Sequence, residues 1–247
     1  MKRATLDAIL AARAERRPLV RLVWLESGEE RLLGSAAELL ATATRADARP
    51  SGAPVGSSAA DPALVAAIES AFADDDGGLV ETASGAVFVQ PFNPPPRLAI
   101  VGAVHIAQSL AVFARDLGHA VTVIDPRRGF LTEARFPGVA ISHAWPDEAL
   151  LAHGLDPRTA IVTLSHDSKL DDPALHTALR SSAYYIGALG SQRTQAKRRA
   201  RLAEAGFDAA TIARIHGPVG LDIGSANPAE IALSIAAEIV ACLRKPR

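Results

Sequence analysis

The chain has 247 residues, 49% of them hydrophobic and 21% charged, which is the composition of an ordinary globular protein large enough for two small domains. Lys plus Arg number 26 and Asp plus Glu 27, a formal net charge of -1, so no long-range field draws it to nucleic acid or an anionic membrane. One cysteine, Cys242, excludes an internal disulfide and cannot by itself build a zinc site.

In chain order, residues 4–15 are expected to form a short helix with Leu6, Ile9 and Leu10 on one face. Leu19 to Leu25 has the pattern of a strand, and Ser27-Gly28 turns it into Arg31-Leu32-Leu33. Arg49 to Pro62 is rich in Pro, Gly, Ser and Ala and is expected to be a loop. Asp61 as cap and Pro62 as first helical residue predict a helix through Phe72. Gly78–Thr82 and Ala86–Phe92 flank Ser84-Gly85 as a hairpin. Asn93-Pro94-Pro95-Pro96 then breaks the chain, because three prolines cannot donate to a ladder. The expected domains are therefore a small α+β unit over 1–93 and a second unit over 97–247.

Beyond the prolines, apolar runs alternate with amphipathic helices. Strands are expected at Leu98–Val101, Ala120–Ile124, Val139–Ser142, Ala160–Leu164 and Ala183–Ile186. Helices are expected at His105–Leu117, Pro146–His153, Pro173–Arg180, Gln192–Glu204 and Pro228–Leu243. This alternation predicts a Rossmann-like, mostly parallel sheet covered by helices on both faces. Ligands of such sheets bind at the carboxyl ends of the strands. The N-terminus lacks the apolar core of a signal peptide and no run approaches about 18 apolar residues, so a cytoplasmic protein is expected.

The strand ends carry the candidate site. Gly102 to Ala107 partly matches the dinucleotide fingerprint G-x-G-x-x-G/A. Gly102 suits the tight turn and Ala107 the close helix packing. Val104 occupies the place of the second glycine, where its side chain crowds the approach of a pyrophosphate, and His105 follows it. Asp125 ends the second strand where the fingerprint puts a ribose-binding carboxylate, with Arg127 two residues on. This turn either binds a ligand or is only a structural element of the fold.

His166, in Ser165-His166-Asp167, suits a general base, an orienting donor or a structural hydrogen-bonder. Gly190, Ser191 and Arg193 open a helix as an anion site for phosphate or pterin. Lys197 to Arg201 is expected to be a solvated basic face. In the loop Gly217–Gly224, Gly220 and Gly224 bracket Asp222, which either accepts from the amino groups of a purine or pterin or satisfies nearby backbone donors. No zinc spacing, Walker lysine motif or G-x-S-x-G elbow is present, so spacing supplies no catalytic constellation.

The segments IVGAVHIAQSLAVFARDLG, VTVIDPRRGF, YYIGALGSQRTQAKRRARL and RIHGPVGLDIGSANPAEIALSIAAEIV, in that order over about residues 95–243, resemble the C-terminal domain of the XdhC/CoxI family. These are accessory proteins of xanthine dehydrogenase and related molybdenum hydroxylases. The resemblance implies a maturation chaperone rather than an enzyme. Such a protein would bind molybdenum cofactor (molybdopterin, in many bacteria with an attached nucleotide) and protect it while it acquires a terminal sulfido ligand. It would then deliver the cofactor to an apo-hydroxylase.

The implied partners are apo-xanthine dehydrogenase or a related molybdenum hydroxylase, a cysteine desulfurase and cofactor-synthesis enzymes, with homodimerisation left open. On this view the Gly190–Arg193 turn takes phosphate and Asp222 the pterin amino edge. Longer members carry a cysteine in a glycine-rich N-terminal segment. Its counterpart, Gly56-Ser57-Ser58, has none, and Cys242 in the final helix is expected to be buried. An NAD(P)-dependent oxidoreductase, motivated by Gly102–Asp125, and a scaffold that only docks hydroxylase or desulfurase are the competing readings.

Overall fold

The computed structural model describes residues 2–39, 61–83 and 85–244. The chain divides into two compact units, Met1–Pro94 and Pro95–Arg247. The first unit is a mixed α+β structure. Helix α1 (Arg3–Ala14) precedes β1 (Leu19–Trp24) and β2 (Glu30–Leu33), and helix α2 (Pro62–Asp74) precedes the hairpin β3 (Gly78–Thr82) and β4 (Gly85–Phe92). The antiparallel sheet has the order β2-β1-β4-β3. Asp61 caps α2 by accepting from the Ala63 amide (2.9 Å), with Pro62 at the first helical position. Leu64, Ile68 and Ala71 of α2 pack on Val20, Leu22, Val87 and Val89 of the sheet. Most of the Arg49–Pro62 segment, Gly56-Ser57-Ser58 included, lies outside the described residues, as does Ser84.

The second unit is a Rossmann-like sheet of six parallel strands: β5 (Arg97–Val101), β6 (Ala120–Ile124), β7 (Ala140–Ser142), β8 (Thr159–Thr163), β9 (Tyr185–Ala188) and β10 (Ile215–His216). Its order is β10-β9-β8-β5-β6-β7, with every neighbouring pair parallel. The strand order reverses between β5 and β8, the topological switch point at which open sheets of this type bind ligands.

Alternate strand residues serve opposite faces. Leu98 and Ile100 join a core with helix α3 (His105–Asp116) and the final helix α8 (Pro228–Arg244). Ala99 and Val101 join a second core with α4 (Pro146–His153), α5 (Ser168–Leu179), α6 (Gln192–Glu204) and α7 (Ala209–Ile212). Both faces are covered, which is why these strands are continuous apolar runs rather than alternating ones.

Two boundaries, and one short pair of elements, differ most from the sequence expectation. Helix α5 starts at Ser168, five residues before Pro173, because the Asp167 side chain accepts from the Lys169 amide (3.0 Å) and caps an earlier start. Pro173 sits inside the helix and gives up a single backbone bond. Strand β9 runs Tyr185–Ala188, two residues later than Ala183–Ile186, since its ladder with β8 pairs Tyr185 with Ala160 and Ala188 with Thr163. Gly187 is thus a strand residue rather than part of the following loop; a Cβ there would come within 2.6 Å of Val219 Cγ2. The short pair α7 and β10 has no sequence signal strong enough to predict it.

Candidate functional site

Five loops leave the C-terminal ends of β5, β6, β8, β9 and β10 along one edge of the sheet. At the switch point the loops after β5 and β8 abut. Gly102 has φ +103°, and a Cβ there would lie 2.8 Å from the Ser165 amide nitrogen. Glycine therefore allows both the left-handed turn and the close approach of the second loop. Val104 is the N-cap of α3 and its side chain makes no capping bond, and His105 is exposed at the first helical position. The first-turn amides of α3 are left without a side-chain acceptor.

Asp125 is fully buried and accepts four hydrogen bonds. The Ala103 amide donates to Oδ2 (2.8 Å) and the Arg127 amide to Oδ1 (2.9 Å). The Arg127 guanidinium forks onto both oxygens, Nε to Oδ1 (2.9 Å) and Nη2 to Oδ2 (2.7 Å). Burial pushes the carboxyl upward, but the bonds from Arg127 and Ala103 outweigh it and hold the group below the usual carboxylate range. This carboxylate is a clamp joining the β5 and β6 loops rather than an open acceptor for a ribose. Arg127 lies over the Phe130 ring, 4.6 Å from its centroid, and Asp167 and Asp171 add to the field that favours its charge.

After β8, His166 is exposed with φ +58°, a left-handed conformation uncommon outside glycine that histidine adopts more readily than most side chains. Beneath it Ser165 Oγ donates to Asp171 Oδ1 (2.6 Å), and Arg198 Nη2 donates to Asp171 Oδ2 (3.3 Å). Arg198 Nη1 also donates to Gln195 Oε1 (2.6 Å), and Nη2 to the Leu189 carbonyl (3.1 Å). Gln195 Nε2 in turn donates to the Ala188 carbonyl (2.8 Å). This buried network ties α5 and α6 to the end of β9.

The solvated basic face expected over Lys197–Arg201 is corrected here. Lys197, Arg199 and Arg201 are exposed, but Arg198 is 3% exposed because Asp171, Gln195 and the Leu189 carbonyl meet it inside. Burial raises the Asp171 pKa and lowers that of Arg198, so desolvation exceeds their mutual attraction.

Ser191 caps α6, accepting from the Thr194 amide (3.3 Å), and Gly190 precedes it with φ +134°. His166 and Arg193 line a common cleft of about 260 Å³ between α5 and α6. The cleft also takes in Lys197, Arg198 and Arg201, so the β8 and β9 candidates come together.

The loop after β10 is held from beneath by a cluster that sequence reading missed. Glu238 of α8 accepts from Tyr185 Oη (2.6 Å) and from the Gly220 amide (2.7 Å), and its other oxygen lies 2.9 Å from His216 Nδ1. Burial opposes the Glu238 charge, yet His216, Tyr185 and the Gly220 amide hold its pKa down. The Tyr185 hydroxyl is pushed upward by burial and by Glu238.

Gly220 (φ +95°) has no room for a Cβ, which would collide with Ser234 Oγ. Asp222 is exposed and has no hydrogen-bond partner among the described residues, and Leu221 and Ile223 beside it are exposed too. Gly224 has φ +72° with open space around it. Cys242 is partly rather than fully buried, with Sγ 3.9 Å from His216 Nε2.

Among the described residues no three His, Cys, Asp or Glu side chains are grouped to hold a metal ion, and no helix is long and apolar enough to cross a membrane.

Residues 98–239 match the family described as the XdhC Rossmann domain. Over 155 residues, 62% of its length, the chain is 34% identical to a Bacillus subtilis protein described as a probable xanthine dehydrogenase subunit, covering 45% of that protein. Over 148 residues, 60% of its length, it is 30% identical to the molybdenum cofactor insertion chaperone PaoD of Escherichia coli, covering 40% of it. The chain thus spans less than half the length of these relatives. A crystal structure described as a xanthine dehydrogenase from Bacillus halodurans superposes with a TM-score of 0.69 at 22% identity, over 98% of this chain and 67% of that one. That likeness speaks to the fold.

Proposed function

The chain belongs to the XdhC family, and from that premise we propose that it is a molybdenum-cofactor-binding maturation chaperone rather than an enzyme. It shields the cofactor while the terminal sulfido ligand is installed and inserts it into a xanthine dehydrogenase-type hydroxylase. The observation that carries this reading is the chemistry of the strand-end crevice. A cleft lined by Arg193, Lys197, Arg198 and Arg201 stands at one side, and an exposed carboxylate, Asp222, with no partner among the described residues, sits on a loop braced by Glu238. A phosphate-bearing pterin needs both: cations for its phosphate and an acceptor for its amino edge.

The residues fit these two ends of the ligand. Gly190, Ser191 and Arg193 would receive phosphate, and Asp222, between Gly220 and Gly224, the pterin edge. Gly102, Val104 and His105 would form the floor, with Asp125 and Arg127 fixing the floor's position and His166 standing at the rim. When bound, the cofactor supplies the molybdenum centre that the hydroxylase later uses. No thiol of this chain joins that set, since its one cysteine, Cys242, lies at His216 below the loop.

We take residues 1–93 and 97–247 as separate functional domains, a cysteine desulfurase and cofactor-synthesis enzymes as further partners, and the cytoplasm as the setting. The oxidoreductase reading loses its support with Asp125, whose carboxylate is buried and fully engaged.

The test is to purify the protein from cells that make the cofactor, oxidise any bound pterin and measure its fluorescence. About one pterin per chain is expected. A protein that carries none, and takes up none on titration with molybdopterin, overturns the proposal. Undiminished delivery to apo-hydroxylase by the Asp222→Ala, Arg193→Ala double variant would favour a scaffold instead.

A further inference from the structure

The α5–α6 cleft is more specific than a basic helix surface. Arg193, Lys197 and Arg201 recur at every fourth residue along one face of α6. Arg201 is engaged, forking onto Asp172 at 2.7 and 2.9 Å. Arg193 and Lys197 are exposed and have no hydrogen-bond or ion-pair partner among the described residues. Behind them Arg198 is fixed by Gln195, Asp171 and the Leu189 carbonyl, and its buried Nε has no acceptor. The α5 carboxylates that face α6, Asp171 and Asp172, are already taken up by Arg198 and Arg201, and Asp167 at the start of α5 accepts from the Lys169 amide. Arg193 and Lys197 therefore leave positive charge in the cleft that no described side chain bonds to.

Size narrows the occupant. Pockets that enclose a drug-sized ligand run to about 300–1,000 Å³; this cleft holds about 260 Å³. Its size suits one oxyanion group of a larger ligand.

We propose that the cleft between α5 and α6 is a phosphate subsite, in which Arg193 and Lys197 hold a phosphate monoester or diphosphate. The immobile Arg198 supplies buried positive charge, and His166 and Ser168 stand at the mouth. The inference deepens the cofactor reading and rests on it for the source of the phosphate, which is the cofactor itself rather than a free phosphate ester.

The experiment is calorimetric titration of the full chain with inorganic pyrophosphate at two salt concentrations. Saturable, one-to-one binding that weakens with salt is expected. Lys197→Ala and Arg193→Ala should each weaken it about tenfold. Arg199→Ala, an exposed cation of the same helix outside the cleft, should leave it unchanged. Absence of saturable binding, or equal loss in Arg199→Ala and Lys197→Ala, overturns the subsite.

Molybdopterin supplies the second arm. Its displacement by pyrophosphate, together with weaker binding to Lys197→Ala, supports the assignment. Molybdopterin binding that ignores both removes the subsite and leaves the cofactor reading standing. Pyrophosphate binding without any molybdopterin binding keeps a phosphate site but overturns the cofactor as its source and sinks the cofactor reading.

Discussion

Two buried aspartates flank the crevice, each facing an arginine, and the protein treats them in opposite ways. Asp125 is held by four short bonds, and its partner Arg127 remains 36% exposed, so only one of the two charges has lost its water. Asp171 accepts from Ser165 and from a single, longer 3.3 Å contact with Arg198, and both members of that pair are at most 3% exposed. The first carboxyl is held below its ordinary pKa and the second is raised. Proximity of opposite charges does not by itself decide the matter. Bond number, fork geometry and the solvent left to the arginine decide whether attraction or desolvation wins.

The largest test of this contrast is Arg198→Met. It strands a buried carboxylate, and a loss of about 3–5 kcal/mol of unfolding free energy is expected by urea denaturation. Adding Asp171→Asn should restore much of that loss, because a pair dominated by desolvation is replaceable once both charges go. If the double variant is as weak as the single, the pair stabilises the fold in its own right and the contrast fails.

Asp125→Asn comes next, at about 2–3 kcal/mol, since hydrogen bonds to charged groups contribute about 1.5–3 kcal/mol each and the amide keeps part of the set. The pH profile should separate the two sites by sign. Asp125, depressed in the folded state, contributes stability that is present above its ordinary value of 3.8 and is lost as pH falls through the folded value. Asp171, raised in the folded state, acts the other way, removing stability as pH rises from 3.8 through its folded value. Asp125→Asn should therefore flatten the acid limb of the stability curve, while Asp171→Asn should steepen it. Shifts of the same sign in both variants would break the comparison.

The smallest effect belongs to Arg201→Ala. Its bidentate pair with Asp172 is 42% exposed on the arginine side, and exposed pairs contribute about 0–1 kcal/mol. Because Arg201 shares its helix with Arg198, a thermal or urea midpoint barely moved from wild type would show that burial, not membership of the basic run, distinguishes the two.

Legibility in the sequence follows the distance between partners. Asp125 and Arg127 are two residues apart, and their place at a strand end was readable, although the inward fork that closes the carboxylate to a ribose was not. Asp171 and Arg198 are 27 residues apart. Within QRTQAKRRARL nothing marks one arginine as different from its neighbours, so a uniform basic face was the natural expectation. Glu238 lies 53 residues from Tyr185 and 22 from His216, so nothing local in the sequence marks it as their partner. The β9 shift has the same origin, since the ladder with β8, not local propensity, sets where that strand begins.

The residue pattern alone was sufficient for the alternating strands and helices, the covered parallel sheet, the Asp61-Pro62 helix start and the strand-end loops that resemble one family. These are local matters: apolar periodicity, capping side chains and backbone freedom are expressed within a few residues of where they are written. The tertiary structure decided which charge of α6 turns inward, which carboxylate is clamped and which stays open, and what braces the Asp222 loop. Those outcomes depend on partners brought from distant segments into a low-dielectric interior. There a charged side chain's energy is set by what it meets rather than by what precedes it in the chain.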